Sequence, residues 1–219
     1  MTAPVHHMPD DLLLQYVAGS AAAPAALVAA CHTTMCAACT ARVRELEVVG
    51  GALLAELPGE ALRPGALEAT LARLNSVAAP EKPLTPPVQP ADCPPLPRPL
   101  LRLIEEAGGL RWGFIAPGVR GMTFKSGSTT TVTRLLRLRP GMTIPLHDHG
   151  DLEYTMIFSG ALEDAGEQYK RGDVCVREGG EKHVPRVMAG ETCVALTVNE
   201  GALLPLTLTG RLMKLMSGD

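Results

Sequence analysis

The sequence predicts two domains, an N-terminal all-α unit of four helices and a C-terminal all-β barrel or sandwich. Three observations predict it. Residues 1–77 carry helical periodicity, nine of the nineteen prolines crowd between Ala78 and Pro99, and residues 100–219 hold short β-branched runs separated by glycine. With 219 residues, 46% of them hydrophobic and 20% charged, the chain is long enough for one or two cores and too apolar to be disordered.

The helices follow from local signals. Pro9-Asp10-Asp11 opens the first, with acids at the positive end of the dipole, and Gly19 stops it. Ala21 to about Thr34 reads as the second. The third runs from Thr40 to about Leu57, although Gly50-Gly51 lies inside it. Pro64 to Val77 forms the fourth, with Leu67, Leu71 and Leu74 on one face. In residues 78–99 each proline lacks an amide donor and biases its predecessor toward extended backbone. This segment is therefore expected to be a semi-rigid spacer, neither helix nor central strand. Beyond it, Thr129–Leu138, Asp173–Arg177, Val184–Met188 and Thr192–Val198 read as strands.

Charge divides the same way. Residues 1–75 hold four Lys/Arg and seven Asp/Glu, and the remaining 76–219 hold sixteen of each, so the net −3 belongs to the helical half. Neither half has the basic excess that draws nucleic acid or anionic membrane, and 3% aromatics gives little surface for base stacking. Leu12–Ala41 carries no charge, but Gln15, Tyr16, Gly19, Ser20, Pro24 and His32 interrupt it and Asp10-Asp11 precede it. It reads as neither a membrane span nor a signal peptide. The expectation is a cytoplasmic protein whose reduced cysteines serve metal rather than disulfides.

Two constellations carry chemistry. His32, Cys36 and Cys39 form H-x3-C-x2-C. On one continuous helix they stand at about 0°, 40° and 340°, a single face; a break at Thr33-Thr34 would instead make a ligand loop between two helices. Two thiolates and an imidazole suit tetrahedral zinc, and His6, His7 and Cys31 are the candidates for a fourth ligand. In the β half, Gly141, His147-Asp148-His149, Glu153 and Gly160 give G-x5-H-x-H-x3-E-x6-G, and Gly172-Asp173, Gly180 and His183 give G-x7-G-x2-H. His147 and His149 are two apart and share one strand face; Glu153 can return to it after the Gly150 turn. These donors can hold zinc, iron, manganese or nickel, and their chemistry alone does not choose. Asp148 falls on the other face, a poor catalytic partner for either histidine. No nucleophile elbow or phosphate loop appears. Cys31, Cys175 and Cys193 read as packing residues, and Cys93, among the linker prolines, as an exposed thiol.

These motifs carry a family resemblance. H-x3-C-x2-C behind His6-His7-Met8-Pro9-Asp10, Leu12-Leu13 and Tyr16-Val17-Ala18-Gly19 resembles zinc-binding anti-sigma domains, in particular the ChrR branch. The β-half motifs resemble those of cupins, with Glu178 where proline is usual. Arg111-Trp112, Pro117-Gly118-Val119-Arg120 and Arg139-Pro140-Gly141 resemble the entry strands of the ChrR cupin half. The resemblance implies a zinc anti-sigma domain at 1–77, a linker at 78–99 and a metal-binding cupin at 100–219. It implies His7 as the fourth zinc ligand, with His6 its solvated neighbour, and a divalent metal, zinc first, on His147, His149, Glu153 and His183. The implied protein is not an enzyme. Its helical half masks an extracytoplasmic-function sigma factor, and its cupin half senses singlet-oxygen-type stress and triggers release. It would contact neither nucleic acid nor membrane. Leu67, Leu71 and Leu74 fit either a contact surface for the sigma factor or an internal core. The second reading of the same sequence is a cupin metal-dependent oxygenase or isomerase with an accessory zinc domain.

Overall fold

The computed structural model of the chain describes residues 3–76, 87–124, 130–201 and 203–205. Five helices precede the strands: α1 (Asp10–Val17), α2 (Ala23–Thr33), α3 (Ala37–Ala55), α4 (Ala66–Ser76) and α5 (Arg98–Glu106). The helix at 37 begins ahead of the expected Thr40 because the Cys36 sulfur caps it, accepting from the Cys39 amide at 3.5 Å. Gly50-Gly51 does not interrupt it. Val77, the expected end of α4, lies outside the described residues, as do 78–86 of the spacer and Thr129.

The fifth helix corrects the spacer reading. Pro97 is its N-cap and Pro99 stands in its first turn, where a missing amide costs no helical hydrogen bond. The described spacer residues ahead of it are pinned. The Gln89 side chain donates to the Leu96 carbonyl (2.7 Å) and accepts from its amide (3.0 Å), and Leu96 is buried. The helical packing also differs from a four-helix unit. α1 packs on α2 and α3, and α2 packs on α5, whereas α4 buries no residue at all. Among the described residues no single helix is long and apolar enough to cross a membrane. α2 and α3 meet the length and composition test only as a pair bent by 118°.

The strands are β1 (Gly113–Ala116), β2 (Val119–Phe124), β3 (Thr131–Leu138), β4 (His147–His149), β5 (Glu153–Ser159), β6 (Ala161–Asp164), β7 (Glu167–Lys170), β8 (Val174–Arg177), β9 (Arg186–Val187), β10 (Cys193–Glu200) and β11 (Leu203–Pro205). They form an antiparallel six-stranded sheet in the order β1-β2-β3-β10-β5-β8, a three-stranded sheet β7-β6-β9 and the pair β11-β4. The run Val184–Met188 narrows to the two residues of β9.

Strand alternation places two cores. Ile157, Cys175, Cys193 and Ala195 face Leu162, Tyr169 and Val187 of the smaller sheet, filling the barrel. Their neighbours Tyr154, Met156, Phe158, Val174, Val194, Leu196 and Val198 face outward onto Val28, Ala29, Leu100, Leu101 and Ile104 of the helices. Burial on both faces explains why β5 and β10 lack the polar alternation of a half-exposed sheet. Gly160 turns β5 into β6 at φ +66°, and a Cβ there would lie 2.8 Å from the Cys193 Cα, so only glycine fits. Cys93, expected to be exposed, is half-buried and packs against the helical core.

Leu100 is fully buried where α5 meets this shared core. Leu100→Ala is expected to lower unfolding free energy by about 2–5 kcal/mol in urea denaturation. A loss below about 1 kcal/mol would show that α5 is not part of the core.

Candidate functional site

The structure brings together two groups of four donors. In each group the donor atoms lie within 4.8 Å of one another: His7, His32, Cys36 and Cys39 in the helical part, and His147, His149, Glu153 and His183 in the barrel.

The helical group forms at the corner where α2 ends and α3 begins. His32 stands in the last turn of α2, Cys36 caps α3, and Cys39 lies in its first turn. The chain therefore breaks between the motif's His and its cysteines, the second of the two geometries open from spacing. His7 reaches the corner from the segment before α1, its Nδ1 lying 3.3 Å from Cys36 Sγ and 3.7 Å from Cys39 Sγ. His32 is fully buried, and its Nδ1 lies 2.8 Å from the Gly172 carbonyl, which can only accept. Nδ1 therefore carries the proton, and the Nε2 lone pair points at Cys39 Sγ, 3.3 Å away. Burial lowers the His32 pKa and keeps the ring neutral, and burial pushes the Cys39 thiol up to about 11. A tetrahedral Cys2His2 zinc site has donor–donor edges of about 3.3–3.8 Å, which these separations match. His6 is not the solvated neighbour expected. Its ring is mostly buried against the barrel, with Nε2 3.1 Å from Glu167 Oε2 and Nδ1 3.5 Å from Asp173 Oδ2, and it lies on Tyr169.

The barrel group sits at the mouth formed by β4, the start of β5 and the loop carrying His183. His147 and His183 exchange backbone hydrogen bonds of 3.1 and 3.2 Å, which fixes the two motifs against each other. His147 Nδ1 donates to the Pro145 carbonyl (2.8 Å), and His183 Nδ1 donates to Asp164 Oδ2 (2.9 Å). Both rings thus turn bare Nε2 lone pairs inward, only 3.0 Å apart. His149 Nε2 lies 2.8 Å from His183 Nε2 and 3.1 Å from Glu153 Oε2. Lone pairs held so close repel unless a cation sits among them, so this donor set fits a divalent ion. Burial lowers the His147 pKa. Burial also opposes the charge on His149, but Glu153 outweighs it and raises that pKa. Burial of Glu153 works against ionisation, yet the three histidines hold its carboxyl below the ordinary range.

Sequence reasoning misses the groups behind these donors. Asp164 is buried at the end of β6, where it accepts from His183, from Arg177 Nε (2.7 Å) and from the Cys175 thiol (3.6 Å). Burial opposes its charge, but the bonds from His183 and Arg177 keep its pKa low. The available signal was alternation, since the register that turns Leu162 inward turns Asp164 inward too. Cys175 faces the barrel interior but is not among the converging donors, and burial pushes its thiol up to about 12. Asp148 accepts from the amides of His149 (2.8 Å) and Gly180 (2.9 Å), tying the two motif loops together. Leu67, Leu71 and Leu74 lie far from burial, at 62%, 49% and 65% exposure.

Comparison with known proteins agrees with this architecture. Residues 102–203 match the family model described as the ChrR cupin-like domain. The anti-sigma-E factor ChrR of Cereibacter sphaeroides is 32% identical over 199 residues, covering 90% of this chain and 91% of its own. The crystal structure of Rhodobacter sphaeroides SigE in complex with the anti-sigma ChrR matches at TM-score 0.75 and 30% identity, over 90% of this chain and all of that one.

A carboxylate behind a ligating histidine fixes its tautomer and raises its basicity. Asp164→Asn is accordingly expected to weaken divalent-metal binding by the barrel group about 10–100-fold in chelator competition. Unchanged affinity would show that His183 is not a ligand.

Proposed function

The chain belongs to the ChrR family of anti-sigma factors, and on that premise we propose that it binds and inhibits an extracytoplasmic-function sigma factor. The observation that supports this most directly is the apolar surface of α3 and α4. Val48, Val49, Leu53 and Leu54 on α3, and Leu67, Leu71 and Leu74 on α4, are all exposed. So large a set of uncovered aliphatic side chains on two helices marks an interaction surface. It favours the contact-surface role for the leucine stripe, since Leu67, Leu71 and Leu74 are exposed.

In this reading residues 1–77 form the sigma-binding unit, 78–99 the connector and 100–219 the regulatory cupin. Zinc on His7, His32, Cys36 and Cys39 fixes the corner between α2 and α3, a structural role that leaves no open coordination position. A divalent ion, zinc first, occupies His147, His149, Glu153 and His183. A singlet-oxygen-type signal acts on the cupin half and favours a form that no longer masks the sigma factor; such a shift requires the two forms to differ in free energy of interaction with the signal. The acidic helical half suits a protein partner in the cytoplasm rather than nucleic acid. The oxygenase or isomerase reading lacks comparable support, since the relatives matched over nine-tenths of the chain are anti-sigma factors.

Three variants test the proposal. The double substitution Leu67→Asp with Leu71→Asp changes only exposed positions, so stability should hold within about 0.5 kcal/mol. Sigma affinity should fall by about tenfold or more in calorimetry, as truncated interface anchors do; native affinity would remove α4 from the interface. Cys36→Ser should release one zinc and abolish sigma binding, whereas Glu153→Ala should leave inhibition intact and block release by singlet oxygen. The measurements are metal analysis and a reconstituted transcription assay. Loss of inhibition in Glu153→Ala would make the cupin part of the clamp.

A further inference from the structure

We infer that the β7–β8 corner of the barrel is the outer shell of the helical metal site, with Gly172 and Asp173 as its positioning residues. The inference rests on the proposal that His7, His32, Cys36 and Cys39 bind zinc, and adds that the barrel governs how tightly they hold it.

Two of the four donors take their position from this corner. His32 presents Nε2 to the thiols only while its Nδ1–H is held, and the group holding it is the Gly172 carbonyl, 140 positions away in sequence. His7 is reached through a short lead-in that the same corner captures. Asp173 Oδ1 accepts from the amides of Val5 (2.7 Å) and His6 (3.0 Å), and the Val174 amide donates to the His6 carbonyl (3.3 Å). The segment thus lies along the start of β8, with His6 against the barrel and His7 at the thiols.

The corner is itself rigid. The Gly172 amide donates to the Ile157 carbonyl (2.8 Å), the Ile157 amide to the Asp173 carbonyl (3.1 Å), and the Lys170 amide to Asp173 Oδ2 (2.8 Å). Gly172 has φ +92°, and a Cβ there would stand 2.7 Å from Pro4 Cγ. Glycine is needed both for the backbone conformation and for the approach of the N-terminal segment. At its other end β8 presents Arg177, which is paired across the sheet with Glu153 and bonded to Asp164 behind His183. One four-residue strand therefore carries the outer shell of the helical group at its start and that of the barrel group at its end.

The test uses the full chain loaded with cobalt(II). The thiolate-to-cobalt charge-transfer band reports the helical site alone, because the barrel group contains no sulfur donor. Loss of the band to excess chelator gives the exchange rate. Asp173→Ala and Gly172→Ala should accelerate loss about 10–100-fold, and Asp173→Asn, which keeps one acceptor oxygen but turns a donor toward the Lys170 amide, should accelerate it less than Asp173→Ala. Leu162→Ala, a cavity in the barrel interior, controls for general loosening and should also stay within about threefold. Native rates in the first two variants, or equal acceleration in Leu162→Ala, would overturn the inference. A native chain that shows no thiolate band would instead refute the zinc reading beneath it.

Discussion

The helices meet the barrel on the outer face of the six-stranded sheet. Tyr154, Met156, Phe158, Val194, Leu196 and Val198 cover that face with apolar side chains, and α2 and α5 close over it. Each such side chain contributes about 1.5–3 kcal/mol when removed from water, so the contact is strong enough to hold the helices against the barrel. With α2 seated there, its last turn meets the β7–β8 corner and His32 reaches the Gly172 carbonyl. The bend between α2 and α3 then turns α3 so that Val43 and Leu46 still pack on the core while Val48, Val49, Leu53 and Leu54 stay exposed.

The two donor groups have different environments and suit different tasks. The helical group combines two thiols with two imidazoles and closes the corner between two helices, chemistry fit for a structural ion. The barrel group is all nitrogen and oxygen, ringed by Asp164, Arg177 and Asp148, which orient it from behind. Arg177 at the end of β8 bonds to Asp164 behind His183, and Gly172, just ahead of its start, accepts from His32, so β8 links the two groups through hydrogen bonds at both ends.

Much of this was legible in the sequence, for identifiable reasons. Metal-donor spacing is local, so H-x3-C-x2-C and H-x-H-x3-E each announced donors that the fold brings together. α5 was missed because Pro97 at its N-cap and Pro99 in its first turn looked like breakers where they act as starters. The partnership of His6 with the barrel was missed because it spans more than 160 positions. The role of α4 is not legible in sequence because a leucine stripe at helical spacing reads the same whether its cover comes from within the chain or from a partner. Asp164 was missed because a single inward carboxylate in a short strand has no motif.

α2, α5 and the sheet form one packed body, and in the proposed function α3 and α4 project from it to meet a sigma factor. Amide hydrogen exchange of the full chain, alone and saturated with its sigma partner, tests this directly. Strong protection of α2, β5 and β10 is expected in both states, with new protection on binding confined to α4 and the exposed part of α3. New protection in β5 or β10, with α4 unchanged, would contradict it.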